Sequence, residues 1–337
     1  MSRVRLRDLA ETLGLSVMAV SKALRDEPDI SPATKEKVRL EAEKRGYYPN
    51  ESARNLRVKR SGLVGLILPD LATEEGSNVA GGFCAAAQKG GVAVLLGLAR
   101  SAKEEAEQAR TMMGRSVEAI FVLPRISTEH RSAALETAKK AGLPILFFHR
   151  YPADVGPGSG RVSWVVRNMK QAAQRVLDHL SDLGHRKVAY LGGHSAARSH
   201  AEHLQAVQEG AEARGMVIFG GGQMAGVKPE DGEKEMMKIL EEKERPTAVI
   251  CGSDSVAAGA SRAILSAGLA IPGTISLTGL GDEELSRYGP VNLTTVRFPN
   301  LGQAGFELWK KAREGEGEME PLVLSAELLI RNSTGNA

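Results

Sequence analysis

Apolar residues within the first 48 positions recur every three or four residues in three short groups, which is the spacing of a helix face. Gly14 follows the first group, where a left-handed glycine commonly ends a helix. Ser16 and Ser31 can cap the second and third helices, Pro32 suits the first position of the third, and Gly46 stands just past its end. Three short helices with a tight first turn predict an all-α helix-turn-helix head over residues 1–48. The residues predicted to face its core are Leu6, Leu9, Ala10, Leu13, Val20, Ala23, Leu24, Val38 and Ala42.

Beyond Arg60 the pattern changes to short runs of β-branched residues and leucine that alternate with amphipathic segments. Alternating strands and helices predict an α/β body with parallel sheets, in which the loops after the strands share one edge and bind ligands there. The alternation restarts near residue 162, which predicts two similar lobes facing each other across a cleft. The predicted strands are 64–68, 93–96, 119–123, 145–148, 188–191, 248–251 and 276–280.

Composition excludes several classes of protein. The chain has 337 residues, of which 42% are hydrophobic and 25% are charged, as in ordinary globular domains. The longest apolar runs, 63–68 and 92–99, are too short to span a membrane, and no secretory signal is visible, so we expect a cytoplasmic protein. Cys84 and Cys251 lie in apolar surroundings and are expected to be buried, reduced thiols.

Charge is divided unevenly along the chain. Residues 1–60 carry 14 Lys and Arg against 9 Asp and Glu, whereas the remainder carries 30 against 32. A small basic head on a nearly neutral body favours phosphate binding, because neutralising phosphates releases counterions. A solvated basic helix pair is the alternative that charge alone leaves open.

The second helix of a helix-turn-helix lies in the major groove, and the outward residues near its start reach base edges. Val17 and Met18 can contact thymine methyls or read shape, and Lys22 can bond guanine, with Ser16, Ser21 and Arg25 near the backbone. The alternative is a helical hairpin that serves only for packing. The candidate DNA-binding residues are Arg5, Leu6, Ser16, Val17, Met18, Ser21, Lys22, Arg25, Asn50, Ala53 and Leu56.

Residues 49–60 form a candidate hinge between head and body. Ala53 and Leu56 are the apolar points of an eight-residue segment, 51–58, that is too short to hold a helix in water. Such a segment can fold when docked on DNA, where Leu56 can wedge into a base step of the minor groove. The alternative is that the segment is simply a linker to the body.

These residues resemble the lactose/galactose repressor (LacI/GalR) family. The head and hinge carry the resemblance at 4–10, 14–16, 20–21, 31–34, 46–47 and 49–50. The body adds family landmarks in the expected order at 65–70, 179–180, 183–185, 293–296 and 299. The resemblance implies a bacterial transcription regulator, usually a repressor, whose periplasmic-binding-protein-like body binds a small molecule that changes operator affinity.

The resemblance also implies an assembly and a domain plan. One head covers only half of a pseudo-palindromic operator, so a homodimer is expected. The chain is expected to cross between the lobes three times, with a first lobe of 61–162 and 291–321 and a second of 163–290 and 322–337.

The strand-end loops depart from the family pattern. No aromatic residue follows the first strand at 73–76, His149 stands where an acidic residue is usual, and Arg167-Asn168 replaces an Asp-Asn pair. The loop at 279–282 reads Gly-Leu-Gly-Asp instead of Gly-Phe-Asp-Asp, and only Ser253-Asp254 stays close to pattern.

Arginines replace the carboxylates that would bind sugar hydroxyls. Arg100, Arg125, Arg150, Arg167 and Arg198 fall at or near predicted strand ends, and clustered guanidinium groups recognise carboxylates or phosphates. We therefore expect an acidic effector, such as a uronate or a sugar phosphate. The alternative is that these arginines form surface or inter-lobe salt bridges with acidic neighbours. The candidate effector-binding residues are Thr73, Glu75, Arg100, Arg125, His149, Arg167, Arg198, Asp254 and Gly281.

Enzyme chemistry has no anchor in the sequence. The stretch 220–225 matches a Gly-x-Gly-x-x-Ala dinucleotide pattern but is better explained as a turn or loop. His194, His200 and His203 make a poor metal site and are expected to be exposed to solvent. No nucleophile elbow is visible, so we expect neither an enzyme nor a cofactor. The remaining alternative is a solute-binding or carbohydrate-binding protein on the same lobes, which would need an export signal or a catalytic dyad.

Overall fold

The computed structural model describes residues 4–48, 60–125, 132–152, 161–194, 198–224, 226–315 and 317–337, with the backbone alone at 193–194, 198–199 and 220–224. The chain divides into two compact units, Met1–Ser61 and Gly62–Ala337. The first unit is called the head and the second the body.

The head consists of α1 (Leu6–Leu13), α2 (Val17–Leu24) and α3 (Pro32–Lys44). Gly14 ends α1 in the left-handed region at φ 64°, as its position predicts. The hydroxyls of Ser16 and Ser31 accept backbone N–H bonds three residues on and cap α2 and α3. The predicted helices, caps and inward positions are confirmed. The core consists of buried Leu9, Ala10, Val20, Ala23, Val38 and Ala42, with partly buried Leu6, Leu13 and Leu24 packed against them.

The body contains two six-stranded sheets in the part of the chain that the structure describes. The strands in chain order are β1 (Leu63–Leu68), β2 (Ala93–Leu98), β3 (Ile120–Val122), β4 (Ile145–Phe148), β5 (Val162–Arg167), β6 (Lys187–His194), β7 (Val217–Met224), β8 (Ala248–Cys251), β9 (Ser276–Leu280), β10 (Thr294–Arg297), β11 (Leu322–Leu324) and β12 (Glu327–Leu329). The first sheet has the order β11-β5-β4-β3-β1-β2, and the second has the order β12-β10-β9-β8-β6-β7. Their strand pairs are parallel except for β10 with β12. The predicted α/β class and the seven predicted strands are confirmed.

Helices cover the faces of both sheets. They are α4 (Glu74–Lys89), α5 (Ala102–Gly114), α6 (Ala133–Ala141), α7 (Met169–Asp182), α8 (Arg198–Glu212), α9 (Pro229–Glu241), α10 (Asp254–Ser266), α11 (Glu284–Tyr288) and α12 (Leu301–Glu314). The first lobe is the first sheet with α4, α5, α6 and α12, whose buried side chains form shared cores with it. The second lobe is the second sheet with α7 to α11.

Strand membership fixes where the chain passes between the lobes. Strand β5 belongs to the first sheet, β10 to the second and β11 again to the first. The chain therefore crosses after Arg167, after Arg297 and after Leu324. The expected boundaries at 162/163, 290/291 and 321/322 each lie a few residues too early, because β5, β10 and β11, which decide the crossings, are not among the strands that the apolar pattern predicts.

An aromatic cluster fills the core of the first lobe. The ring of Phe83 on α4 lies 4.5 Å from that of Phe121, 6.2 Å from that of Phe148 and 5.6 Å from that of Phe306, each edge to face. Edge-to-face contacts between buried rings stabilise such a core beyond the area they bury. The cluster thereby fixes the end of β4, and with it the side chain of His149.

Two sequence expectations are wrong. Residues 220–224 continue strand β7 instead of forming a turn or loop, so the glycine pattern stands within an edge strand. Cys251 is buried as expected, but Cys84 is exposed, because α4 turns it away from the aromatic core. Among the described residues, no helix combines the length and the apolar character needed to span a bilayer.

Candidate DNA-binding helix and effector cleft

The second helix of the head presents apolar side chains to solvent at its start. Val17 is 44% exposed and Met18 is 69% exposed, whereas Val20 and Ala23 on the other side are fully buried. Ser16 fixes the start of the helix, because its Oγ accepts the Ala19 N–H at 3.1 Å. An exposed apolar pair on a capped helix end is unfavourable in water, so this surface is suited to contact with a partner.

Cations further along α2 are held by neighbouring polar groups. Lys22 bonds to Asp29, and Arg25 donates to Ser21 Oγ at 2.5 Å and to Glu27 Oε1 at 3.2 Å. Lys22 thereby lowers the pKa of Asp29. Ion pairs this exposed contribute little stability, so both cations can exchange a carboxylate for a phosphate or a base edge.

The remaining DNA candidates have different surroundings. Arg5 is exposed at the start of α1, where its backbone N–H donates to Asp8 Oδ2 at 2.8 Å. Leu6 is partly buried and packs against the head core, and its contact with DNA stays a prediction. Asn50, Ala53 and Leu56 lie outside the described residues.

In the body, a partly buried ion pair forms where strands of the first sheet end. Glu75, in the first turn of α4, accepts from Arg150 Nη1 at 3.2 Å and Nη2 at 2.8 Å, and it lies 3.5 Å from His149 Nε2. Burial by itself raises the pKa of Glu75, but Arg150 and His149 lower it to about 2. Arg150 also donates to the Pro124 carbonyl at 3.2 Å, so it is fully engaged within the protein.

His149 is held in an unusual backbone conformation, with φ at +60° in the left-handed region. Its side chain is only 7% exposed, and burial lowers its pKa to about 3 against the opposing effect of Glu75. The imidazole is therefore neutral near pH 7. It supplies a polar wall to the cleft without a charge.

Arg167 ends β5 beside these groups and is unlike the other arginines. Its Nε is buried, and no hydrogen bond or ion pair engages the side chain among the residues that the structure describes. Its Cζ lies 5.4 Å from the ring centre of Phe298, a cation–π contact that leaves the edge of the guanidinium available. Burial lowers the pKa of Arg167, and the nearby carboxylates of Glu75 and Glu283 oppose that shift.

The second lobe contributes buried carboxyl groups to the same region. Asp254 is fully buried and accepts from Thr295 Oγ1 at 2.5 Å and from the Glu283 backbone N–H at 2.7 Å. Glu283 accepts from Ser255 Oγ at 3.1 Å. Burial and a side-chain hydrogen bond with Glu74 raise the pKa of Glu283 to about 9. Glu74 belongs to the first lobe, so this side-chain contact links the two lobes.

Two family profiles match the chain. The profile described as bacterial regulatory proteins of the lacI family matches residues 5–50, and the profile described as a periplasmic binding protein-like domain matches residues 177–334. The chain belongs to the LacI family. It is a DNA-binding regulator of transcription with an effector-binding body, as the sequence predicted, and its relatives are regulators instead of enzymes.

Relatives of this LacI-family protein match it over nearly the whole chain. Catabolite control protein A of Priestia megaterium is 26% identical over 98% of this chain and 99% of its own. The HTH-type transcriptional regulator AglR of Rhizobium meliloti is 29% identical over 99% of this chain and 95% of its own. Among solved structures, the Lac repressor dimer bound to operator and an anti-inducer superposes with a TM-score of 0.85 at 23% identity, covering 99% of this chain and 100% of that one.

Four of the nine predicted effector residues of this LacI-family protein interact with one another: Glu75, His149, Arg167 and Asp254. Thr73 caps α4 by accepting the Gly76 N–H at 3.1 Å, and Arg100 is 71% exposed and pairs with Asp70 at 3.2 Å. The salt-bridge alternative therefore applies to Arg100 and Arg150.

The remaining predicted effector residues lie outside the group of Glu75, His149, Arg167 and Asp254. Arg125 is partly buried directly after β3, and Gly281 takes a φ of 136° that turns the loop toward Glu283. The side chain of Arg198 lies outside the described residues.

Sequence reasoning missed two groups of this cleft and misjudged one histidine. Glu74 and Glu283 face one another from different lobes, and no local pattern relates positions so far apart in the chain. The expectation that His203 is exposed is wrong, because it is 1% exposed on the inner face of α8. The available signal was its position on an amphipathic helix, next to Leu204 and four residues before Val207, because this spacing puts His203 on the apolar face. The described residues hold no group of three side chains arranged to bind a metal ion.

The raised pKa of Asp254, about 6, predicts a pH-dependent stability. The folded protein binds this proton more tightly than the unfolded chain does, so the free energy of unfolding falls as pH rises from about 4 to 6 and stays lower above that range. We expect Asp254→Asn, whose amide oxygen can accept from the Glu283 N–H while its NH2 group donates to Thr295 Oγ1, to match the wild type at pH 4 and to exceed it by about 1–3 kcal/mol at pH 8. Urea unfolding of both proteins at the two pH values measures the difference. An equal difference at pH 4 and pH 8 would contradict the prediction.

Proposed function

We propose that this protein is a cytoplasmic repressor that binds a pseudo-palindromic operator as a homodimer and responds to an acidic sugar bound between its lobes. The exposed pair Val17 and Met18 on the capped helix of a basic head supports the DNA part of the proposal. The Lac repressor structure is that of a dimer bound to operator. A head with a single recognition helix reads one half-site, so two copies read a palindrome.

Exposed apolar side chains on both lobes support the homodimer. Leu96 and Leu98 are 41% and 44% exposed on β2, the edge strand of the first sheet. In the second lobe, Leu285 and Tyr288 on α11 are 37% and 84% exposed. Large apolar side chains are unfavourable in water, so these patches are suited to a protein interface. A second copy of this chain presents the same patches and can cover them in a symmetric dimer.

Replacing Tyr288 by aspartate is expected to raise the dimer dissociation constant at least about tenfold, because a charge would replace an aromatic contact at the interface. Sedimentation equilibrium of the full chain measures the constant. Met237→Asp is the matched control, since Met237 is a 50% exposed apolar residue on α9. Equal dimerisation of Tyr288→Asp and the wild type would place the interface elsewhere.

The effector proposal rests on Arg167. Arg150 and Arg100 are engaged by Glu75 and Asp70, whereas Arg167 is partly buried, has a fully buried Nε and has no hydrogen-bond or ion-pair partner among the described residues. A carboxylate or phosphate satisfies the edge of its guanidinium with two parallel hydrogen bonds. The partly exposed carboxyl groups of Glu283 and Glu74 suit sugar hydroxyls. An effector with one acidic group and several hydroxyls, such as a uronate or a sugar phosphate, fits both features.

Calorimetric titration of the full chain tests the effector class. The panel consists of hexuronates, aldonates and hexose phosphates beside the matching neutral sugars. We expect binding by at least one acid and at least tenfold weaker binding by its neutral counterpart, since the buried charge would then lack a partner. Binding of neutral sugars alone would overturn the acidic effector.

Selection of bound duplexes from a random DNA pool, at near-physiological salt and with or without the same panel, tests the operator proposal. A pseudo-palindrome with a deformable central step is the expected product. A change in its recovery with one panel member identifies that compound as the effector. Recovery of no sequence above background would reduce the head to a nonspecific phosphate binder.

A further inference from the structure

One arginine near the C-terminus contacts the loop that follows β9, and the proposed function leaves it unused. Arg331 lies just after β12, and its backbone N–H donates to Thr294 Oγ1 at 3.0 Å at the start of β10. Its side chain is 20% exposed. Nη1 donates to Ser286 Oγ at 3.0 Å and to the Leu293 carbonyl at 2.9 Å, and Nη2 donates to Asp282 Oδ1. Arg331 therefore joins the end of β12, the start of β10 and helix α11 to one carboxylate.

Asp282 binds this arginine in an uncommon backbone conformation. Its φ is +55° and that of Gly281 is +136°, so two consecutive residues lie at positive φ. A non-glycine residue keeps such a conformation only where its surroundings hold it. The Asp282 side chain is 3% exposed and lies between Arg331 and Arg287, whose Nη2 is 2.7 Å from Oδ2. Burial by itself raises the pKa of Asp282, but the hydrogen bonds from Arg287 and Arg331 lower it overall, so the carboxylate is ionised near pH 7.

The two arginines that bind Asp282 are not equivalent. The side chain of Arg287 is 53% exposed, and an ion pair this open to water contributes little. Arg331 is mostly buried and donates to three acceptors around the loop. Removing one partner of a buried charge pair is costly, because the other charge stays out of water without compensation. Arg331 is therefore the cation that fixes the position of Asp282.

The next residue, Glu283, contacts the other lobe. Its backbone N–H donates to Asp254 Oδ2 at 2.7 Å, its carboxyl group accepts from Ser255 Oγ at 3.1 Å, and its side chain contacts Glu74 of the first lobe. A Cβ at Gly281 would lie 3.0 Å from Glu283 Cγ, so the missing side chain leaves the space that Glu283 occupies. Glu283 therefore keeps its place only while the two residues before it keep their conformation.

We propose that Arg331 is a positioning residue of the effector cleft, which holds Glu283 against the first lobe through the carboxylate of Asp282. This inference rests on the proposed effector cleft and adds a residue that acts on it from outside. The hydrogen bonds of the Arg331 guanidinium go to protein groups, so it acts through the loop instead of contacting the ligand. Loss of Arg331 is expected to move Glu283 away from the first lobe and toward water.

The position of Glu283 is tested without any ligand. The full chain is labelled with ¹³C at the glutamate carboxyl groups, the Glu283 signal is assigned from Glu283→Gln, and a pH titration gives its pKa. Burial and the contact with Glu74 raise the pKa of Glu283 to about 9 in the wild type. In Arg331→Gln it is expected to fall to about 8 or lower, because a displaced carboxyl group is exposed to water. Loss of the positive charge alone acts in the opposite direction, so an unchanged or raised pKa would overturn the proposal.

Two further variants test whether the effect belongs to Arg331. Arg331→Lys keeps the charge but cannot donate to three acceptors at once, so the pKa of Glu283 is expected to fall less than in Arg331→Gln. If Arg331→Gln does not fold, Arg331→Lys decides the question, because any fall then comes from position alone. Arg287→Gln is the matched control, since it removes the exposed cation from the same carboxylate and is expected to leave the pKa of Glu283 nearly unchanged. An equal fall in Arg287→Gln and Arg331→Gln would overturn the specific role of Arg331.

The effect on ligand binding is tested by calorimetry with hexuronates, hexose phosphates and neutral hexoses. Each compound that binds the wild type is expected to bind Arg331→Gln about tenfold or more weakly, because a displaced Glu283 leaves a sugar hydroxyl without its acceptor. In a Glu283→Gln background the same substitution is expected to cost less than about twofold, since two residues that act through one contact are not additive. Equal losses in both backgrounds, or no loss in the wild-type background, would overturn the proposal. Operator binding without effector confirms that each variant is folded.

The two measurements separate this inference from the acidic-effector proposal. If only neutral hexoses bind, and Arg331→Gln lowers both their affinity and the pKa of Glu283, the acidic effector is overturned and the role of Arg331 is retained. If a uronate binds the wild type and Arg331→Gln equally well while the pKa of Glu283 stays unchanged, the acidic effector is retained and the role of Arg331 is overturned.

Discussion

Replacing Met18 by glutamate is expected to lower operator affinity at least about 100-fold while the head stays folded. Met18 is 69% exposed and takes no part in the head core, so the substitution leaves the packing of the three helices intact. On the DNA-facing side it places a carboxylate among phosphates, where like charges repel, and it removes an apolar contact with the bases. Fluorescence anisotropy with the selected operator measures the loss.

Two further variants show whether the loss belongs to α2. Met237→Glu makes the same change at a 50% exposed methionine of the body and should leave operator affinity within about twofold, since surface substitutions away from a site act weakly. Met18→Ala removes the contact without adding a charge, so an intermediate loss is expected. Wild-type affinity in Met18→Glu would exclude this end of α2 from the DNA interface.

Arg167→Gln is expected to lower affinity for the acidic effector at least about 30-fold, since losing one partner of a buried charge pair costs about 2–5 kcal/mol. Operator affinity without effector should be unchanged, because no ion pair within the described body depends on Arg167. The variant would therefore keep its effector-free operator affinity at effector concentrations that change the operator affinity of the wild type. Calorimetry and operator binding across an effector series measure both effects.

Two arginine substitutions sharpen this prediction. Arg167→Lys keeps the charge but lacks the planar pair of donors, so it should recover only part of the affinity. Arg100→Gln removes an arginine that was equally prominent in the sequence but is 71% exposed and paired with Asp70, and it should bind effector normally. Equal losses in Arg100→Gln and Arg167→Gln would point to the overall charge of the cleft instead of a specific contact.

Local signals account for the parts of the fold that were predictable. Ser16, Gly14 and Pro32 mark helix ends through backbone chemistry that acts within a few residues, and the structure has the helices there. The strands in the middle of each sheet are continuous apolar runs, as burial on both faces requires. Strands β11 and β12 have three residues each and mix exposed with buried positions, so no periodicity distinguishes them from loop.

The cleft was less predictable, because its properties depend on pairing at a distance. The arginines at strand ends look alike in sequence, yet Arg150 meets Glu75 across 75 positions while Arg167 meets the ring of Phe298. The contact between Glu74 and Glu283 depends on the approach of the two lobes, which no local pattern encodes. His203 was misjudged because a polar residue was taken for a surface residue without regard to its buried partner Tyr190 on β6.

The order of the strands has a consequence for synthesis of the protein. The first sheet takes its edge strand from 322–324, and the second takes two neighbouring strands from 294–297 and 327–329. Helix α12, at 301–314, supplies part of the aromatic core around Phe83, more than 200 positions earlier. Neither lobe is complete on the ribosome until the last forty or so residues have emerged, so both must finish folding almost together. A premature stop codon near residue 290 would therefore not yield a smaller protein with one working lobe but would leave both sheets open at an edge, exposed to aggregation and proteolysis.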